Sequence, residues 1–367
     1  MAKTTSSVQY LGQKPEFGSR FLTEDQDVWT QNAWDHVPAP DDQDEIIAAS
    51  LLRQRTNPVP DNDKQKYNDR PARHWDIFYK NNTANFFKNR KWLHQEFREL
   101  TEATEPTAGP VSIVEVGCGV GNSVFPLLSA NSNPQLSLRA FDYSNRAIKL
   151  LQENPLYTSP PVGAIQAAVW DLTSPTLPDD LSPSSADIVI MVFVFSALHP
   201  AEWAQAVANV HRILKPGGIV LFRDYGRYDL TQLRLKDRRL LDNNFYIRGD
   251  NTRVYFFELD ELALLFTGSR AGHVEAAPVV TEVVNDELND SPDASGASTP
   301  LDAAELEELP LREQQIHPTL LASPPPCLFS TEQLGVDRRL LVNRKRQLKM
   351  YRVWMQAKFR KLERPDS

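Results

Sequence analysis

Ser112-Ile-Val-Glu-Val-Gly-Cys-Gly-Val-Gly-Asn122 decides the fold. A β-branched apolar run ends in three glycines at alternate positions, Gly117, Gly119 and Gly121, and an apolar segment from Ser123 to Leu128 follows. The pattern predicts a buried parallel strand that turns sharply into a helix. Its glycine backbone lacks Cβ atoms, so a ligand could lie against it. A second strand-like run, Leu136 to Phe141, is closed by Asp142 some 25 residues after the turn. A carboxylate placed there can bind both hydroxyls of a ribose.

A dinucleotide fingerprint would carry its third glycine at 122 or 123, where Asn122 and Ser123 stand instead. Glu115 also lies inside the strand, two residues before the turn. The form Glu-x-Gly-x-Gly-x-Gly with a later Asp resembles the first two motifs of the seven-stranded S-adenosylmethionine (SAM) methyltransferases. The alternative is a tight turn in another α/β protein.

Working outward, a third strand is expected from Ala164 to Val169, followed by Trp170-Asp171, and a fourth from Asp187 to Val194. The fourth run is apolar on both faces, as a central parallel strand requires. Ala201 to Leu214 reads as a helix that Lys215-Pro-Gly-Gly218 stops before a fifth strand, Ile219 to Phe222. Glu258 to Phe266 reads as a further helix, and Met350 to Phe359 as an alternating last strand with Lys and Arg on one face. Asp171 falls at a strand's carboxyl end, where ligands bind in open α/β sheets.

The 367 residues are 41% hydrophobic, enough for a sizeable core, and the net charge of −8 is unevenly placed. Residues 271–313 hold eleven acids against Arg312 alone, a net −10, so the rest of the chain carries +2. The first 70 residues hold twelve acids and eight bases, which leaves about +6 on the remaining body. A mildly basic body is compatible with nucleic acid without establishing it. Cys118 and Cys327 are far apart and form neither a disulfide framework nor a metal spacing, so no metal site is expected. No apolar run approaches the roughly 20 residues of a membrane span, and the N-terminus lacks a secretory core. The cytoplasm is the default compartment, with the nucleus still open.

Four regions are expected. Residues 1–70 form a partly ordered arm, extended or in short helix, with Phe17-Gly-Ser-Arg-Phe-Leu22 and Asn32-Ala-Trp-Asp35 as apolar islands docking on the body. Residues 71–267 and 328–361 form the α/β domain. Residues 268–327, rich in Pro, Ser, Ala and acids, form a disordered insertion, and 362–367 a tail. His74 to Lys80 and Asn85 to Leu93 are aromatic and basic. Phe86, Phe87, Lys88, Arg90 and Lys91 interleave stacking surfaces with cations, a combination that holds an unpaired base and its phosphates. A helix packing on the sheet would leave the same pattern.

Further motifs make the resemblance specific. Trp75-Asp-x-Phe-Tyr-Lys, Phe86-Phe-Lys-Asn-Arg-x-Trp92, Phe141-Asp-Tyr-Ser, Phe195-Ser-Ala-Leu-His-Pro200, Arg223-Asp-Tyr-Gly-Arg-Tyr-Asp229 and Val336-Asp-Arg-Arg-Leu-x-Val-Asn-Arg344 accompany the glycine turn. Together they resemble the tRNA 3-methylcytidine methyltransferases, which modify cytidine 32 of the anticodon loop. The likeness runs from about residue 15 to 361, the acidic insertion excepted, and the early islands resemble the subgroup acting on threonine and some arginine tRNAs.

The resemblance implies a Rossmann-like, seven-stranded class I SAM-dependent methyltransferase with an N-terminal arm. It implies SAM as cofactor and tRNA as partner, and leaves room for an accessory protein that helps select the tRNA. Trp75 and Tyr79 would lie over the methionine end of SAM, with Gly117 and Gly119 beneath it. Asp142 would bind the ribose, and Asp171 and Val192 would border the adenine. Glu115 and Tyr143 complete the cofactor set. Phe87, Arg90 and Asp224 would hold a flipped cytosine, whose N3 lone pair needs no general base. No His or Cys catalyst is therefore expected, and His74, His94, His199 and His211 would pack or cap. The basic stretches 234–253 and 338–361 would grip the tRNA backbone. A methyltransferase for protein or small molecules, and a non-catalytic scaffold of the same fold, are the rival readings.

Overall fold

The computed structural model describes residues 5–6, 17–84, 86–271, 316–323 and 325–363. Eleven strands are found among them: β1 (Ala33–Asp35), β2 (Val111–Val116), β3 (Leu136–Asp142), β4 (Ala164–Val169), β5 (Ala186–Val192), β6 (Leu214–Tyr225), β7 (Leu240–Asp242), β8 (Phe245–Ile247), β9 (Arg253–Tyr255), β10 (Phe329–Asn343) and β11 (Leu348–Lys361). The main sheet runs β1-β10-β11-β6-β5-β2-β3-β4, and β7-β8-β9 form a separate antiparallel sheet. The five strands from β2 to β6 pair parallel, while β11, β10 and β1 pair antiparallel at one edge. The expected seven-stranded order is therefore present, and the arm adds an eighth strand.

The order follows from which strands can be apolar on both faces. Five consecutive residues of β5, Ile188 to Val192, are buried, as is the β2 run from Ile113 to Val116, and these two strands pair at the centre. β4 alternates exposed and covered positions and takes the outer edge. Aliphatic side chains on one face of the sheet pack on the helices Val124–Ala130 and Asn145–Gln152. The other face carries Trp203, Phe222, Phe257 and Phe266 beneath the helices Trp203–Ile213 and Leu259–Thr267.

Three boundaries differ from the sequence expectation for identifiable reasons. β5 stops at Val192 because Phe193 takes a left-handed backbone, φ 55°. The helix expected from Ala201 starts at Trp203, after a 3₁₀ turn at Pro200–Glu202. His199 caps that turn: its Nδ1 accepts the Ala201 N–H at 3.2 Å, while its own N–H donates to Glu202 at 2.6 Å. β6 begins at Leu214, which pairs with Ala186, and pairing resumes at Ile219 with Ile188, so Lys215-Pro-Gly-Gly218 bulges out of a continuous strand.

The arm is more ordered than expected. β1 pairs Trp34 with Leu340, and the Trp34 indole donates to the Val28 carbonyl at 2.8 Å, within an apolar cluster of Leu22, Val28, Val37, Leu340 and Val342. Asp35 Oδ2 accepts the Ser19 and Arg20 N–H groups at 2.8 and 2.9 Å. Residues expected as extended or short helix form a 14-residue helix, Gln43–Thr56, whose buried Gln54 donates to the Gln232 carbonyl and accepts the Tyr246 hydroxyl. The expected disordered stretch 268–327 is also too long. Residues 272–315 and 324 lie outside the described residues, but Pro318–Ala322 is helical and the buried Glu261 carboxylate accepts the His317 N–H at 2.9 Å.

A buried ionic network joins the arm to the sheet. Arg223 of β6 pairs with Asp337 and Gln356 and stacks between Trp92 and Trp354, 4.9 and 4.8 Å from their centroids. Arg339 reaches Asp337, Asp35 and Glu96. Burial acts to raise the Asp337 carboxyl, but the Arg339 and Arg223 guanidinium groups hold it below the usual carboxylate range. Removing one member of such a network leaves an uncompensated buried charge. Asp337→Ala should therefore cost about 3–5 kcal/mol of stability, read from urea unfolding at neutral pH; a loss below about 1 kcal/mol would contradict this role.

Candidate functional site

The glycine turn sits where β2 leaves the sheet. Gly117 and Gly119 have φ of 65° and 53°, the left-handed region that only glycine enters freely. A Cβ at Gly117 would collide with the Val194 side chain, and one at Gly119 with the Tyr79 hydroxyl. The glycines are thus required first by backbone conformation and by close protein neighbours. That corrects the idea that their missing Cβ atoms simply make room for a ligand. The turn is tied to β3, because the Cys118 N–H donates to the Phe141 carbonyl at 3.0 Å and the Gly119 N–H to Asp142 Oδ2 at 2.9 Å.

Two carboxylates flank this turn in contrasting states. Asp142 accepts Gly119 and, through Oδ1, the Ser144 N–H at 2.8 Å. Burial outweighs these two bonds and pushes its carboxyl up to about 6. Glu115 is fully buried, and no donor meets its oxygens at full hydrogen-bond geometry, although the Ser123 hydroxyl and the Val124 N–H face them closely enough to favour its charged form. Its nearest counter-charge is Arg90, whose Nη1 lies 3.7 Å from Oε1 and donates to the Ser123 hydroxyl at 3.0 Å. Burial raises Glu115 to about 7, with Arg90, the Ser123 hydroxyl and the Val124 N–H opposing. A buried carboxylate without a well-aligned donor is costly, and its position suits a cationic ligand group.

The helix Pro71–Asn82 covers the turn. Proline at its first position pre-sets the backbone. Trp75 and Tyr79, one turn apart, place their ring centroids 5.9 Å from each other, with Phe78 packed edge-on against both. Tyr79 is buried beside Gly119. The Tyr143 hydroxyl is also buried without a partner, and burial pushes this phenol upward. Val192 is buried at the end of β5, whereas Asp171 stands exposed beyond β4 with Oδ1 engaged by the Thr173 N–H and hydroxyl at 2.8 and 2.7 Å.

The residues expected around the acceptor base separate into two groups. Phe87 is half-buried, its ring 4.8 Å from Phe86 and 5.6 Å from Phe78, and its carbonyl accepts the Asn122 amide at 3.0 Å. It joins the aromatic cluster beside the Pro71–Asn82 helix while staying partly exposed, and its own segment is not helical, unlike the helix on the sheet that the pattern had left open. Arg90 lies at the cofactor-side carboxylate, yet its guanidinium also stands 5.7 Å from the Phe193 ring. Asp224, at the carboxyl end of β6, accepts the Ser196 and Tyr225 N–H groups at 2.9 and 2.8 Å, and burial raises it to about 6.

Sequence reading missed Phe193 and Asn122 here, and placed Arg248 in the basic stretch without its aromatic partner. Phe193 is partly exposed, 4.9 Å from the Tyr225 ring, and Arg248 lies over Tyr225 at 5.3 Å. Asn122 ties the aromatic segment to the glycine turn. Phe193 ended an apolar run indistinguishable from core strand, so only its left-handed backbone reveals it. The four histidines expected to pack or cap include His199, the cap described above, and His211, edge-on to Phe329.

The expected basic grip also divides. Arg253 is buried on Glu202 and the Ala197 carbonyl, Arg352 on Asp229, Lys358 on Glu99, and Lys361 on the His211 and Leu214 carbonyls, while the more open Arg360 pairs with Glu332. The first four are engaged within the fold and are poorly placed to meet phosphates. Arg234, Lys236 and Arg238 remain exposed, as do Arg344, Lys345 and Arg346 at the β10–β11 tip.

The protonation of Glu115 makes one prediction independent of any ligand. Between its ordinary 4.5 and about 7 the folded protein holds a proton that the unfolded chain has lost. The folded state binds more protons in this window, so Glu115 costs increasing stability as pH rises from 4.5 to 7 and a constant amount above it. The stability advantage of Glu115→Gln over wild type in urea should grow across that window. A pH-independent difference would contradict the burial argument.

The comparisons agree with this geometry. A family model described as a methyltransferase domain matches residues 114–220. The chain is 44% identical over 346 residues to a Saccharomyces cerevisiae tRNA(Thr) (cytosine(32)-N(3))-methyltransferase, covering 94% of this chain but 45% of that protein. It is 40% identical to the Schizosaccharomyces pombe tRNA N(3)-methylcytidine methyltransferase trm140, covering 98% of this chain and 97% of the relative. It is 35% identical to the Danio rerio tRNA N(3)-cytidine methyltransferase METTL2, covering 96% and 91%. With matches spanning nearly the whole of both chains in two of these pairs, the chain belongs to the tRNA N(3)-methylcytidine methyltransferase family.

Proposed function

We propose that this chain methylates N3 of cytidine 32 in the anticodon loop of tRNA, on threonine or arginine tRNAs, with SAM as donor. The observation that carries the cofactor assignment is the buried Glu115 carboxylate, which no protein donor meets at full hydrogen-bond geometry. It lies next to a glycine turn already tied to Asp142. A ligand bearing an ammonium group and a ribose fits that donor and acceptor set. Asp142 retains lone pairs for the ribose hydroxyls after accepting its two backbone N–H groups. Trp75, Tyr79 and Tyr143 supply the surrounding walls, and Val192 and Asp171 the far end.

When bound, SAM supplies an electron-poor methyl group on a sulfonium. The chain's own task is then positioning. Cytosine N3 carries an in-plane lone pair at neutral pH, so no residue has to remove a proton before attack. Extracting the base from its stack costs a few kcal/mol, which Phe193 and Tyr225 offset by offering stacking faces beside Asp224. As N3 acquires the methyl as its third bonding partner, its lone pair becomes the new bond and the ring becomes cationic, and the ionised Asp224 carboxylate stabilises that charge. Arg248 lies close enough over Tyr225 to meet an adjacent phosphate. The exposed cations at 234–238 and 344–346 lie farther along the chain's basic segments and suit the RNA backbone.

The two unpaired cysteines, Cys118 and Cys327, suit a reducing compartment, and we assign the reaction to the cytoplasm. No described helix is long and apolar enough to cross a membrane.

Because Asp224 must be charged, turnover at saturating substrates should fall as pH is lowered through about 6. Asp224→Asn should lower kcat about tenfold or more and flatten that limb of the profile. An unchanged profile in the variant would remove Asp224 from this role. The reaction itself is tested by methyl transfer from labelled SAM to tRNA from cells lacking the protein, with nucleoside mass spectrometry. The reading predicts 3-methylcytidine confined to threonine or arginine tRNAs. Product formed only after adding cell extract would identify an accessory protein, and no product in either case would overturn the reading.

A further inference from the structure

The Pro71–Asn82 helix carries a carboxylate, Asp76, between Trp75 and the exposed Ile77. Asp76 Oδ1 accepts the Ser144 hydroxyl at 2.7 Å and the Arg146 N–H at 3.0 Å. Ser144 is completely buried and caps the Asn145–Gln152 helix by accepting the Ala147 N–H at 3.1 Å. Its own N–H donates to Asp142 Oδ1 at 2.8 Å, and Asp142 Oδ2 accepts the Gly119 N–H at 2.9 Å. A continuous hydrogen-bonded path therefore runs from the covering helix, through Ser144 and Asp142, to the glycine turn.

The same helix touches the turn a second time, where the Tyr79 hydroxyl stands over Gly119. These two contacts lie on adjoining parts of its inner face, and Lys80 and Ile77 turn outward to solvent. The charge of Asp76 is favourable at the N-terminus of an eight-residue helix. It is unfavourable towards Asp142, whose carboxyl it helps to raise after burial. What these contacts require at position 76 is an acceptor for the Ser144 hydroxyl and the Arg146 N–H, and that acceptor joins the covering helix to the segment that follows Asp142.

We propose that Asp76 is a positioning residue that latches the aromatic helix over the cofactor pocket by gripping Ser144, the residue that also orients Asp142. This rests on the SAM reading above. Asp76 acts through Ser144 and Asp142 and need not touch the reacting atoms. Losing the latch costs cofactor affinity, because Trp75 and Tyr79 are no longer held in place. Once SAM saturates the site, those side chains are ordered by the ligand and turnover recovers.

The test is titration calorimetry of the full-length protein with SAM and with S-adenosylhomocysteine, alongside steady-state kinetics. Asp76→Ala should raise both Kd values and the KM for SAM about tenfold or more, with kcat at saturating SAM and the KM for tRNA within about twofold. Asp76→Asn keeps an acceptor for both donors and should stay within about threefold of wild type. A lower Tm for Asp76→Ala with unchanged Kd would make the residue merely structural and overturn the latch. If Asp76→Ala does not fold, Ser144→Ala removes the same hydroxyl while leaving the N–H on Asp142; an unchanged Kd in that variant overturns the proposal equally. A wild-type protein that binds neither ligand would instead overturn the cofactor reading, a result distinct from either.

Discussion

The Glu115 carboxylate is buried at the carboxyl end of the central strand, with the Ser123 hydroxyl and the Val124 N–H near it but no donor at full hydrogen-bond geometry. Such a group is tolerated only where something else gains from it. Around it the chain has assembled the parts of a cation and ribose site: Arg90 as a partial counter-charge, the left-handed glycine turn, and Asp142 fastened to that turn by the Gly119 N–H. The aromatic helix then closes the site from above. None of these elements is adjacent to Glu115 in sequence except the turn itself. The parallel sheet brings them together, because β2 and β3 end side by side and their loops must share the same edge.

β6 shows how one strand serves both stability and chemistry. Successive side chains point to opposite faces, so Arg223 enters the buried network with Asp337 and Gln356 while Asp224 meets the Ser196 N–H beside Phe193. The network reaches Asp35 of the arm through Arg339. The N-terminal strand and the C-terminal hairpin thereby fix the position of the strand that carries Asp224. Asp229, farther along, is clamped by Arg352 and the Val353 N–H, which anchors the segment leading to Arg248. The basic side chains of β11 that look like an RNA surface in sequence are largely the counter-charges of this scaffold.

The sequence made the central strand, the glycine turn and Asp142 legible, because hydrophobic periodicity and glycine spacing are local signals. The Gln43–Thr56 helix was not legible, since its buried face mixes Gln43, Ser50 and Gln54 with Ile47 and Leu51. Nor could the partners of the arginines be read. Arg352 meets Asp229 across 123 residues, and no pattern in either segment marks the pair. Phe87 illustrates the limit from the other side: an aromatic beside cations fits either a base or a core, and its ring meets Phe78 and Phe86 while the residue stays half-exposed. Phe193 was hidden for the converse reason, since its composition belongs to the core and its backbone does not.

Glu115 stays near neutral until a cationic ligand arrives. Its carboxyl lies at about 7 in the free protein, so a ligand cation beside it must drive a proton off. Titration calorimetry of SAM binding at pH 6.5, in two buffers of different ionisation enthalpy, measures that proton directly. The account predicts proton release in the wild type and its loss in Glu115→Gln. Binding with no proton exchange in the wild type, or a release that survives the substitution, would contradict it.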